Sequence, residues 1–110
     1  MNDHPTVAEQ EAHGFRQIRK RDGRIVPFDA SKITAALLKA GRATGEFSEE
    51  MAEGLTRDVL EFAQAALRGP IPTIEQIQNL VEFVLLDSPY SRTSKAYILY
   101  RDQHARIRGM

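Results

Sequence analysis

Gly45, Gly69-Pro70 and Ser88-Pro89 cut the chain beyond residue 29 into four runs, and apolar residues recur at helical spacing within each. Punctuation of this kind points to packed helices. The first run, about Ala30 to Ala43, puts Ile33, Leu37 and Ala40 on one face, with Gly41 and Gly45 bracketing its end. The second begins after Ser48, where Glu49 and Glu50 suit the positive end of a helix dipole. Its stripe is Met51, Leu55, Val59, Phe62 and Ala66. The third opens with Thr73-Ile74-Glu75-Gln76, a capping-box pattern, and turns Ile74, Ile77, Val81 and Val84 inward. The fourth runs from about Ser91 to Ile107. Its middle, Ala96 to Tyr100, is apolar nearly all round, so it is expected to be the most buried helix.

Residues 15 to 28 read as a β-hairpin, with Asp22-Gly23 as a turn pair in which both residues tolerate positive φ. Ile25, Val26 and Phe28 form the returning strand, and Pro27 confines it to an edge. The expected architecture is mostly α with a small β cap: a hairpin, with or without a third strand, over a four-helix bundle. Residues 1 to 14 are polar and aperiodic and read as a flexible leader, which leaves 15 to 108 as the domain.

At 110 residues and 42% hydrophobic content the chain can build one modest core. Lys plus Arg and Asp plus Glu both total 15, so the formal net charge is zero. That disfavours a protein whose main task is coating nucleic acid or an anionic membrane. There is no cysteine, which rules out a disulfide, a thiolate metal site, a cysteine nucleophile and a thiyl radical on this chain. No signal-peptide pattern is visible, and no apolar stretch nears the roughly 20 residues of a membrane span. A cytoplasmic domain is the expectation.

Glycine-loop nucleotide signatures, zinc-protease helices and nucleophile elbows are all missing from the sequence. His4, His13 and His104 are scattered, so no histidine metal site is expected. What remains is cationic. Arg16, Arg19, Lys20, Arg21 and Arg24 crowd around the turn, and Lys32 lies on the first turn of the following helix. With the free amides of that helix start they suit a polyphosphate; a solvated basic hairpin fits the same composition. Asp29 is either the N-cap of the first helix or an acceptor for an adenine amino group or a ribose hydroxyl. Thr73 poses the same choice between cap and ligand contact. Lys95 and Arg101 are six residues apart and do not share a face, so at most one or two cations of the last helix can meet a shared ligand.

Lys20-Arg21-Asp22-Gly23, Val26 and the run Phe28 to Ile33 resemble the opening signature of the ATP-cone family. Pro72 to Gln78 is similar to that family's third-helix start, and Tyr97 to Arg101 to its final helix. The resemblance covers roughly residues 15 to 107. It implies a β-capped four-helix domain that binds ATP or dATP, with or without Mg2+, as found at the N-terminus of many ribonucleotide reductases and in a bacterial repressor of reductase genes. Ala96 to His104 looks most like the anaerobic, glycyl-radical reductase.

Carried over by position, the resemblance implies phosphate contacts for Lys20, Lys32 and Arg21, and places Val26 and Asp29 near the adenine. Thr73 would lie near the ribose or phosphates, with Lys95 and Arg101 approaching from the last helix. Ile77 stands where some cones carry a polar ligand contact; either Gln78 substitutes or the contact is absent, and the number of bound nucleotides stays open with it. Reductase chemistry needs cysteines, so the expected role is regulatory, not catalytic. The expected partners are adenine nucleotides, together with self-association or docking to the remainder of a reductase. The alternative is a DNA-binding or assembly module of a repressor-like protein.

Overall fold

A computed structural model describes residues 14–108. The leader assigned to residues 1 to 14 falls outside it except for Gly14. Strands β1 (Gln17–Arg19) and β2 (Ile25–Pro27) form an antiparallel hairpin that pairs Gln17 with Pro27, Ile18 with Val26 and Arg19 with Ile25. Only Gly23 in the turn has positive φ (90°), and Asp22 does not. Asp22 instead accepts from the backbone N–H of Arg24 at 3.1 Å and from its guanidinium at 2.7 Å. These two bonds hold the Asp22 carboxyl below its usual range. Pro27 sits at the strand end, as its missing N–H requires.

The third strand reduces to a single bridge. Arg19 donates its N–H to the Pro72 carbonyl at 2.9 Å, and Arg19 lies parallel to Thr73. This contact ties the hairpin to the start of the third helix and covers one edge of the ribbon.

Four helices follow: α1 (Ser31–Thr44), α2 (Glu49–Ala66), α3 (Ile74–Leu86) and α4 (Ser91–Arg108). Each packs on two neighbours, α1 on α2 and α4, and α3 on α2 and α4, which closes a four-membered bundle. Gly45, at φ 74°, supplies the left-handed residue that ends α1. The Thr73 capping box is present: its hydroxyl accepts from the Gln76 N–H at 3.1 Å, and the Gln76 side chain accepts from the Thr73 N–H at 2.9 Å.

Leu37, Val59 and Leu85 are fully buried at the bundle centre. Burial of a side chain of that size is worth about 1.5–3 kcal/mol. Phe15 and Phe28 stack at 5.8 Å and join the hairpin to this core. Two hydroxyl pairs cross the bundle, Thr34 with Thr56 at 2.7 Å and Thr44 with Thr93 at 2.8 Å. Glu46 caps α4 by accepting from the Thr93 N–H.

Three expectations are corrected. Asp29 is not the N-cap of α1: that position is Ala30, and the Asp29 carboxylate reaches past it to accept from the Ser31 N–H at 3.0 Å and the Ser31 hydroxyl at 2.6 Å. The buried face of α2 is Ala52, Leu55, Thr56, Val59 and Ala63, while Met51 and Phe62 are both 43% exposed. The small Ala52 and Ala63 let neighbouring helices approach closely, so that the face turns away from the bulkier residues. Finally, α4 is not the most buried helix. Tyr97 is buried, but Ile98, Leu99 and Tyr100 are exposed, because α4, like the other helices, lies on two neighbours, and these cannot cover an apolar run that goes nearly all round it.

Candidate functional site

A cleft of about 200 Å³ opens where the hairpin, the start of α1 and the inner face of α3 meet. Its apolar walls are Ile18 and Val26 from the hairpin, Phe28, Ile33 and Ala36, then Ile74, Ile77 and Val81 from α3, and Tyr97 from α4. The alternation of the short strands decides which hairpin residues contribute. Ile18 and Val26 are register partners on the half-buried face, while Arg19 and Ile25 are exposed.

The polar lining is Lys20, Asp29, Lys32 and Gln78. Lys20 is half-buried and Lys32 exposed, so both ammonium groups belong to the rim. Neither has a side-chain hydrogen bond or ion pair among the described residues. Two unneutralised cations beside an apolar slot form an anion-attracting mouth. The α1 amides add less than expected. Those of Ser31, Lys32 and Ile33 already donate to the Asp29 carboxylate, the Asp29 carbonyl and the Ala30 carbonyl.

Of the residues singled out in the sequence, the structure gathers Lys20, Val26, Asp29 and Lys32 around the cleft. Arg21 stands beside it, paired with Glu75 at 3.2 Å and bonded to Gln78 at 2.8 Å. Thr73, Lys95 and Arg101 do not line it. The Thr73 oxygen is engaged in its cap, and Lys95 is exposed on α4. Arg101 is held by Glu82 and Asn79, each at 2.9 Å. Ile74 and Val81 read in the sequence as inward core positions, and Ile18 and Ala36 as nothing more than hairpin and helix residues; none was read as a cleft wall, because their convergence depends on how the hairpin docks on α3.

Tyr97 closes the inner end. Burial pushes its hydroxyl up to about 12 from an ordinary 10.0, with Arg101 pulling the other way. The unfolded chain therefore releases this proton first as pH rises. The stability linked to Tyr97 is complete below pH 10 and is lost between about 10 and 12, up to roughly 2–3 kcal/mol. Urea midpoints at pH 8 and pH 11.5 are expected to fall further for the parent chain than for Tyr97→Phe. Equal falls would contradict the assignment.

The fold and the cleft together define a hairpin-capped four-helix domain with a cationic mouth over an apolar slot. The chain belongs to the ATP-cone family, whose domain model matches residues 16–106. It is 36% identical over 99 residues to the vitamin B12-dependent ribonucleoside-diphosphate reductase of Thermoplasma acidophilum, covering 86% of this chain and 12% of that protein. It is 38% identical over 103 residues to the ribonucleoside-diphosphate reductase subunit alpha of Chlamydia muridarum, covering 81% of this chain and 9% of the relative. With the anaerobic ribonucleoside-triphosphate reductase of Salmonella typhimurium it shares 34% identity over 84 residues, 76% of this chain and 11% of the relative. The chain thus spans about one-tenth of the length of these relatives. Among the described residues no helix is long and apolar enough to cross a membrane, and no group of three or more metal-binding side chains occurs.

Proposed function

We propose that the chain binds ATP or dATP in this cleft and acts as the allosteric nucleotide sensor of a ribonucleotide reductase in the cytoplasm. The observation that carries the proposal is the pair of lysines, Lys20 and Lys32, without a side-chain partner among the described residues, at the mouth of an apolar slot. Ligand pockets typically measure about 300–1,000 Å³, so this smaller cleft suits a base, with the triphosphate left at the rim. Lys20 and Lys32 line that rim, and among the described residues Asp29 Oδ2 is uncommitted and available to an amino or hydroxyl donor. Mg2+ would ride on the phosphates, not on a protein site.

The matched relatives are reductases of three kinds, at 34% to 38% identity. The anaerobic kind is favoured by the Ala96 to His104 segment alone. With no cysteine the chain supplies no reductase chemistry, and bound ATP persists without turnover. Output then takes the form of a contact free energy that differs between two arrangements, through self-association or docking to the rest of a reductase. Sedimentation of ATP-bound and dATP-bound samples measures that difference for self-association.

Calorimetric titration with ATP, dATP, GTP and CTP tests the binding itself. Phosphate contacts alone treat the four alike, whereas a base slot does not. ATP and dATP are expected to bind at least about tenfold more tightly than GTP and CTP. Equal affinity for all four would reduce the site to a generic polyanion patch. Tighter binding of duplex DNA than of ATP, steeply weakened by salt, would favour the nucleic-acid alternative.

A further inference from the structure

Gln78 lines the cleft with its amide oxygen already committed. Arg21 Nη2 donates to Gln78 Oε1 at 2.8 Å, and Nη1 of the same guanidinium pairs with Glu75 Oε1 at 3.2 Å. A guanidinium only donates, so the amide cannot flip without opposing two donors. Its Nε2 amino group has no partner among the described residues. Gln78 thus brings to the cleft lining an amide whose Oε1 is fixed by Arg21 and whose Nε2 is left to donate. From the α1 side, Asp29 offers the complementary acceptor, Oδ2, since Oδ1 is taken by Ser31.

We infer that Gln78 selects adenine over guanine by donating its amide N–H to the base, and that Arg21, held by Glu75, is the positioning residue that keeps this donor turned inward. The inference rests on the nucleotide-binding reading of the cleft. Adenine presents an acceptor at N1 beside an amino donor, which matches a Gln78 donor and an Asp29 acceptor. Guanine reverses both, with an N–H at N1 beside a carbonyl oxygen, so donor meets donor and acceptor meets acceptor. A site built to hydrogen-bond one pattern rejects the other because its own polar groups are left unpaired.

The test is the ratio of GTP to ATP dissociation constants, by calorimetry, for the 110-residue chain and four variants. Gln78→Glu replaces the donor with an acceptor yet leaves Arg21 a partner. Its added charge weakens both nucleotides alike, so the ratio is insensitive to it. Gln78→Leu removes donor and acceptor together. The ratio is expected to fall at least about fivefold in both. It is expected to fall in Arg21→Met as well, and to recover in Arg21→Lys, which can still donate to Oε1. An unchanged ratio in both Gln78 variants, with selectivity intact in the parent, overturns this inference and leaves the nucleotide site standing. A ratio untouched by Arg21→Met overturns the positioning role. A parent chain that binds neither nucleotide defeats the reading of the cleft itself, and this inference with it.

Discussion

Gly41→Ala is expected to cost the fold about 3 kcal/mol, although the same change in an open helix stabilises. Gly41 is buried on α1, and a Cβ built there would stand 2.4 to 2.6 Å from three ring carbons of Phe47. That ring cannot swing aside. It is buried in the core and meets Tyr90 edge-on at 4.9 Å. The helix-propensity gain from alanine, about 1 kcal/mol, is smaller than the overpacking cost. For a domain of this size the melting temperature is expected to drop on the order of 10–20 °C. Gly54→Ala on α2 is the internal contrast, since its Cβ would meet only an Arg57 nitrogen at 3.8 Å. It is expected to stabilise by about 0.5–1 kcal/mol. Thermal melts of the two variants check both signs, and a neutral Gly41→Ala would contradict the described packing of Phe47.

Lys20→Met and Lys32→Met are each expected to weaken ATP binding by about tenfold to a hundredfold, with melting temperatures preserved. A charge-assisted contact to phosphate is worth about 1.5–3 kcal/mol, which is that range in affinity. Both lysines line the cleft mouth, and neither belongs to the core cluster. Arg101→Met is the contrasting variant. It strips Glu82, a quarter exposed, of its partner across the α3–α4 seam without touching the cleft. Its expected signature is a lower melting temperature with nucleotide affinity nearly unchanged. Unchanged affinity in both lysine variants would move the phosphate site elsewhere, and a loss confined to Arg101→Met would move it to α4.

What the sequence revealed was local chemistry. Gly23 at the turn, Thr73 with Gln76 at the start of α3, and the breakers Gly45 and Ser88-Pro89 act on their own neighbours, so short-range reasoning reaches them. Lys20, Val26, Asp29 and Lys32 fall within a dozen or so residues, so their gathering at one cleft follows from a hairpin feeding straight into a helix. Features set by partners distant in sequence stayed hidden. The facing of α2 depends on which neighbour Ala52 and Ala63 admit, and a stripe drawn through Met51 and Phe62 cannot register that. Arg101 looked free because Glu82 lies 19 residues earlier on another helix. Arg21 looked like a simple phosphate cation because Glu75 and Gln78 meet it only after the hairpin docks on α3.

The central claim is that this cleft, and no other surface, receives the adenine nucleotide. Amide chemical-shift mapping of the isotopically labelled chain titrated with ATP tests it most directly. The largest shifts are expected along the lining, at Ile18, Lys20, Val26, Phe28, Lys32, Ile33, Gln78 and Val81, with Phe83, Leu86 and residues 102–107 nearly still. Shifts centred on the outer face of α3 or the end of α4, with the hairpin and α1 unmoved, would contradict the assignment.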